Sequence, residues 1–324
     1  MEEQKRLFEI LKTKIPGSLK LADILEELLK LGSDAVYRRI RGETELTFSE
    51  LHKICTEFKL SMDDVLNNSY NQGAVFHHVP ADINSRETHT EYFKWLLNDL
   101  TNLKSEVDKE LLFVARDIPV YFIAKYPDLA LFKIYVWKDI MKQTAVSYEK
   151  FAKNIRKSNI ETVFDKIYNA QMFIPAKEIW DNHTIDITLR LIKYYHETEA
   201  FENKNSAPLL LEQVAYLVDT VRQYAEDGYK ESETKTPYSL YISSIDLDNT
   251  FMLTRAGNKL ACTLRLNSIN SITTDNEFMC ERQKQLFEFL LHKSVAVSGT
   301  SDKERLRFFR AAMKKIDAVR EKIK

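Results

Sequence analysis

Cysteine, glycine and proline are scarce in this chain, and each scarcity removes a class of protein. Cys55, Cys262 and Cys280 are odd in number and form no CxxC pair, which argues against a disulfide framework and against a thiolate zinc site. Each is expected to be a small buried hydrophobe. Seven glycines and seven prolines in 324 residues are too few for low-complexity disorder, so the chain is expected to fold nearly throughout. The formal net charge of -1 gives no global cationic footprint of the kind many nucleic-acid binders carry. There is no run of 18 apolar residues, and the opening MEEQKR lacks the apolar stretch of a signal peptide, so the expected location is cytoplasmic with no membrane partner.

Catalytic signatures are missing as well. The sequence has no GxSxG elbow, no GxxxxGKS/T loop, no GxGxxG after a strand and no HExxH, each of which places a nucleophile, a phosphate cradle or a metal by fixed spacing. His77 and His78 are adjacent, whereas His183 and His196 stand alone, which gives no ligand spacing. Asp246, Asp248 and Asn249 lack the glycine and the closing glutamate of a calcium loop and are expected to form a turn. No enzymatic activity, cofactor or metal is expected.

What is present is a run of helical signals at the N-terminus. GSDAVYRRIRG, Gly32 to Gly42, predicts a short helix with Ser33 as its N-cap and Gly42 as its stop. Val36 and Ile40 share one face with Ala35 beside them, while Asp34, Tyr37, Arg38 and Arg41 fall on the other. Before it, Leu21, Ile24, Leu25, Leu28 and Leu29 form the stripe of a helix over Ser18 to Leu31, joined through a tight turn. After it, Thr47 and Glu50 form a capping box for a helix with Phe48, Leu51, Ile54, Cys55 and Phe58. A first helix over Glu3 to Leu11 and a short turn from Ser61 and Asp64 to Leu66 complete five helices.

These residues, SLKLADILEELLKLGSDAVYRRIRGETELTFSELHKICTEFKLSMDDVL, resemble the phage-repressor (Xre/Cro-like) helix-turn-helix regulators, closest to a Bacteroidetes group with a YRRIRGE-like motif. The resemblance covers roughly a fifth of the chain. It implies that the second helix of the motif enters the major groove of double-stranded DNA, with Ser33, Asp34, Tyr37 and Arg38 facing bases and Arg41 contacting the backbone. Arg38, Arg39 and Arg41 supply the local cation cluster that phosphate contacts need. The rival reading is a non-enzymatic protein-interaction module or scaffold, favoured by the slightly acidic balance of this region. Neutralisation of the arginine face by Asp34, Glu43 or Glu45 would strengthen it.

Size priors of about 100 to 200 residues per domain suggest two domains. The polar stretch NNSYNQG predicts a linker near 67–73, dividing a helix-turn-helix domain at 1–68 from a sensing or dimerisation domain at 69–324. In the second, Ala74 to Val79 suits a short strand, and Leu111 to Ala115 suits a strand or a buried helix. Helices are expected over Thr90 to Leu103, around Leu129 to Ile140, and over Tyr148 to Lys157, Ile160 to Gln171, Thr184 to Thr198, Pro208 to Tyr229 and Glu277 to Lys293. The aromatic segment from Tyr121 to Trp137 is expected to form core or to line the site of a small-molecule or protein effector. Period-two alternation from Tyr238 to Leu266, broken at Asp246 to Asn249 and at Gly257-Asn258, predicts a three-strand antiparallel meander. The fold class expected is therefore α+β and mainly helical. Ser301 and Glu304 predict a capping box for a final helix. Its stripe of Leu306, Phe309, Met313, Ile316, Val319 and Ile323 is expected in or beside the interface of a homodimer.

Overall fold

The computed structural model describes residues 2–15, 20–58, 60, 74–78, 88–142, 146–267 and 270–323. Ser18, the turn at Ser61 to Leu66 and the linker at 67–73 lie outside them. The chain divides into two compact units, Met1–Val75 and Phe76–Lys324.

The first unit is helical: α1 (Glu2–Lys14), α2 (Leu21–Leu29), α3 (Ser33–Ile40) and α4 (Phe48–Glu57). Leu7, Phe8 and Leu11 of α1, Ala22, Leu25 and Leu29 of α2, Val36 of α3 and Ile54 of α4 form one buried cluster. Each large apolar member contributes about 1.5 to 3 kcal/mol by leaving water. α2 stops at Lys30, which adopts φ 56° and ψ 47°, a left-handed conformation that costs a residue with a Cβ about 1 to 2 kcal/mol. α3 stops at Gly42, which takes φ 76°. The Gly42 amide donates to the Arg39 carbonyl at 3.0 Å and the Glu43 amide to the Arg38 carbonyl at 2.8 Å, the bonding pattern that a left-handed glycine permits at a helix end. The capping box of α4 is formed, with the Glu50 amide donating to Thr47 Oγ1 and the Thr47 amide to Glu50 Oε2.

The second unit is a mixed α/β structure. Its elements are β1 (His77–His78), α5 (Thr88–Ser105), β2 (Lys109–Ala115), α6 (Val120–Ile123), α7 (Pro127–Lys142), α8 (Tyr148–Arg156), α9 (Ile160–Gln171), β3 (Ala176–Trp180), α10 (Asp186–Glu197), α11 (Ser206–Asp227), β4 (Tyr238–Ser243), β5 (Phe251–Ala256), β6 (Lys259–Asn267), β7 (Asn270–Thr274), α12 (Glu277–His292), β8 (Ser294–Ala296) and α13 (Asp302–Lys322). The strands form one sheet in the order β1-β7-β6-β5-β2-β3-β4-β8. β2, β3 and β4 are parallel and the other pairs are antiparallel. Helices bury one face of the sheet in a large core that includes Phe113, Trp180 and Leu240. On the opposite face, Cys280, Phe287 and Leu290 of α12 share a smaller cluster with Val114, Ile179, Leu253 and Cys262.

This sheet corrects the expectation of a small meander. β4 does not pair with β5. It lies parallel to β3, with Leu240 opposite Glu178, and the true meander is β5-β6-β7. The turn residues at Asp246 to Asn249 mark where β4 ends, but the chain there crosses the ends of β3 and β2 before β5 begins. Leu247 anchors this crossing, with its side chain buried and its amide donating to Asp181 Oδ2 at 3.0 Å. β3 gave no alternating signal because AKEIW carries two charged side chains. Lys177 pairs with Glu110 at 2.8 Å, and Glu178 is buried and hydrogen-bonded.

The last helix also departs from expectation. Ser301 holds the N-cap position without a side-chain cap bond. Instead, buried Arg305 donates to the carbonyls of Val297 at 3.1 Å and Gly299 at 2.7 Å. Phe308, Phe309, Ala312, Ile316 and Ile323 are buried in the unit's own large core, with Met313 and Val319 packed against it, whereas Leu306 is exposed. The stripe is thus covered within one chain.

Candidate nucleic-acid interface

Three residues, Lys30, Leu31 and Gly32, connect α2 to α3. The turn is fixed by the Val36 amide donating to the Gly32 carbonyl at 3.1 Å. Gly32, rather than Ser33, is the N-cap, and it offers no side-chain cap. Ser33 is the first helical residue, so its hydroxyl is not held by a capping bond of its own helix. Val36 is fully buried, which turns the opposite side of α3 outward. Asp34 sits in the first turn, where the positive end of the helix dipole favours a carboxylate.

The six candidate residues separate into three environments. Ser33, Asp34, Tyr37 and Arg38 are exposed on α3, and Tyr37 leaves 44% of its surface open. Arg38 is in no ion pair among the described residues. Arg41, just beyond α3, is also exposed, but its Nε donates to Glu43 Oε1 at 2.7 Å and its Nη2 to Glu43 Oε2 at 3.0 Å. The hydrogen bond that Arg41 donates to Glu43 raises the Arg41 pKa, and the same bond lowers that of Glu43. Because both partners are bathed in water, this pair is weak and readily exchanged.

Arg39 points the other way. Its Nε donates to Glu50 Oε2 at 3.1 Å, its Nη2 lies 2.9 Å from Glu50 Oε1, and its Nη1 donates to the Ala35 carbonyl at 3.2 Å. Both side chains of the pair are largely buried, at 14% and 13% exposure. Burial pushes the Glu50 carboxyl up, but the Arg39 and Thr47 hydrogen bonds and the Arg39 charge outweigh it and hold it below the usual range. Arg39 therefore clamps α3 to the start of α4 and is not part of the outward face.

Two residues that sequence reasoning missed set the position of α3. Gln4 of α1 donates to the carbonyls of Arg39 at 2.8 Å and Thr44 at 2.9 Å, and accepts from the Leu46 amide at 2.9 Å. Glu50 was legible as a capping residue but not as the partner of Arg39. Gln4 lies 35 residues from Arg39, a separation over which no local spacing rule operates.

Asp117 and Glu178 are buried, hydrogen-bonded carboxylates of the second unit. Asp117 accepts from Lys133 at 2.8 Å and Thr188 at 3.0 Å and lies 3.4 Å from Arg265, which links the end of β2 to α7, α10 and β6. Burial opposes its charge, but Lys133 and Arg265 outweigh that and lower its pKa. Glu178 accepts from Tyr121 and from Trp180, both at 2.8 Å. Burial raises the Glu178 pKa and lowers that of Lys230, whose Nζ donates to the Gln171 carbonyl at 2.6 Å. All three cysteines are buried, and burial pushes the thiols of Cys262 and Cys280 up to about 12 and about 11. Among the described residues no three His, Cys, Asp or Glu side chains are grouped to hold a metal ion, and no helix is long and apolar enough to cross a membrane.

No protein-family model matches the chain, and no curated protein or solved structure matches it either.

Proposed function

We propose that the first unit binds duplex DNA sequence-selectively through the outer face of α3, as a transcriptional regulator of the phage-repressor type that its sequence resembles. The observation that carries this reading is the pairing of exposed Tyr37 and unpaired Arg38 on a helix whose other face is anchored by Val36 and which follows α2 after three residues. An α-helix with its side chains is about 10 to 12 Å across, a match to a major groove about 12 Å wide. Arg38 reads a guanine edge through two N–H donors, and Tyr37 contacts a base or phosphate. Arg41 exchanges Glu43 for a phosphate, and Asp34 accepts from a cytosine amino group.

One short helix reads few base pairs, so two copies are expected on half-sites about one helical turn apart. The C-terminal unit joins them in this reading, through a surface other than the covered stripe of α13.

Selection of random duplexes by the full chain tests the proposal. The wild type is expected to enrich one motif, and Arg38→Gln is expected to lose preference at one position of it while retaining salt-sensitive binding. Absence of enrichment at low salt overturns the reading. The rival, an interaction module that docks a protein on α3, is favoured by the neutralisation of Arg41 by Glu43. It predicts no DNA binding at low salt and capture of a protein partner that Tyr37→Ala abolishes.

A further inference from the structure

The carboxyl ends of adjacent parallel strands are where open α/β sheets place ligands. In the second unit, the ends of β3 and β4 open into a cleft of about 550 Å³, closed on its far side by α13. That volume lies within the range of about 300 to 1,000 Å³ of small-molecule sites. Its floor is apolar, formed by Ile242, Val297, Phe308 and Ala312.

The charges lining the cleft sort themselves by what they already hold. Asp181 accepts from the amides of His183 at 2.8 Å and Leu247 at 3.0 Å, so its oxygens are satisfied by backbone. Lys315 donates to the Asn182 carbonyl and, at 2.8 Å, to Asp186. His183 Nδ1 lies 2.8 Å from the same Asp186, and its Nε2 lies 3.8 Å from Asp246. Among the described residues, the last two cleft charges hold only a long contact to each other. Glu304 and Arg307 stand one turn apart on α13, 3.9 Å from each other, with Glu304 half-buried and Arg307 82% exposed at the open rim of the cleft.

We propose that this cleft binds a small zwitterion with an apolar body, of the class of the apolar α-amino acids. Arg307 takes the carboxylate, Glu304 takes the ammonium group, and the side chain lies on the floor of Phe308, Val297 and Ile242. A zwitterion replaces the long Glu304–Arg307 contact with two short ones, whereas a ligand of a single charge meets only one of the two side chains and an uncharged one neither. Binding here does not depend on what α3 contacts, so a failed DNA experiment leaves it standing.

Isothermal titration of the full chain with L-leucine, L-methionine and L-phenylalanine, and with 4-methylpentanoate and 3-methylbutylamine as singly charged leucine analogues, tests it. The tightest amino acid is expected below about 1 mM, and leucine at least about tenfold tighter than either analogue. Arg307→Gln is expected to erase the preference for leucine over the amine, and Glu304→Gln the preference over the carboxylate. Ala311→Leu, at an exposed lining position of α13, is expected to abolish binding with an unchanged melting temperature. No amino acid binding below about 1 mM, equal binding of leucine and its two analogues, or full affinity in Ala311→Leu overturns the proposal.

Discussion

Arg39 and Glu50 meet through two nitrogen–oxygen contacts, 3.1 Å from Nε to Oε2 and 2.9 Å from Nη2 to Oε1, while the same Oε2 accepts the Thr47 amide. One carboxylate thereby fixes the start of α4 and the end of α3. Its neighbour Arg38 has no such bond and projects outward. Adjacent arginines thus have opposite surroundings, one inside the unit and one exposed.

The first expected outcome concerns stability. Arg39→Ala should destabilise the first unit by about 1 to 3 kcal/mol, since it leaves Glu50 without its charged donor. Arg38→Ala, on the exposed face, should change it by less than about 0.5 kcal/mol. Trp95, Trp137 and Trp180 all lie in the second unit, so hydrogen exchange at amides of α3 and α4 is the measurement. Because the Glu50 pKa is lowered on folding, its stabilisation is present above the unfolded value and fades below about pH 4. Equal protection in the two variants would remove the distinction between the arginines.

A second outcome separates base reading from phosphate holding. Against the selected site, Arg38→Ala should lose about 1 to 3 kcal/mol of binding and relax preference at one base pair. Arg41→Ala should weaken all sequences alike and reduce the salt slope by about 1. Anisotropy titrations at several salt concentrations measure both. Similar small losses in the two variants would show that neither assignment holds.

The third outcome is a pH dependence in the second unit. Burial alone pushes the Asp99 carboxyl of α5 up to about 6 from 3.8. The folded state therefore holds its proton to higher pH than the unfolded state. This group lowers stability as pH rises from about 4 through about 6, with the full penalty above. Asp99→Asn should be more stable than wild type by about 1 to 3 kcal/mol near pH 8, and the gap should close toward pH 4. Urea denaturation followed by tryptophan fluorescence reads this directly, and a pH-independent difference would contradict it.

The last outcome follows from the burial of α13 on its own unit. Deletion of residues 302–324 removes Phe308, Phe309, Ala312, Ile316 and Ile323 from the large core, and each large side chain lost from a core costs about 2 to 5 kcal/mol. The truncated chain should lose cooperative thermal unfolding of the second unit. Circular dichroism that melts as in the intact protein, with a smaller particle by light scattering, would return the helix to a dimer interface.

Local chemistry made much of this fold legible. Ile160–Gln171 is the helix its stripe predicts, Thr47 and Glu50 form the capping box their spacing predicts, and Gly42 and Gly228 stop helices with φ of 76° and 78°. In each case the residues that decide the structure lie within about one turn of one another, so the sequence alone determines the outcome. Tertiary structure decided the rest. The partner of β4 is β3, some sixty residues upstream, because a parallel pair needs a crossover and no turn signal names the strand at its far end. β3 itself is hidden in sequence by Glu178, whose burial depends on donors from Tyr121 and Trp180. The sequence placed Arg38 and Arg41 on the outer face and grouped Arg39 with them in one cation cluster. The partners of the three were not legible, since side chains within four residues differ only in what the fold brings to them. Glu50 came to Arg39, Glu43 came to Arg41, and Arg38 was left facing solvent.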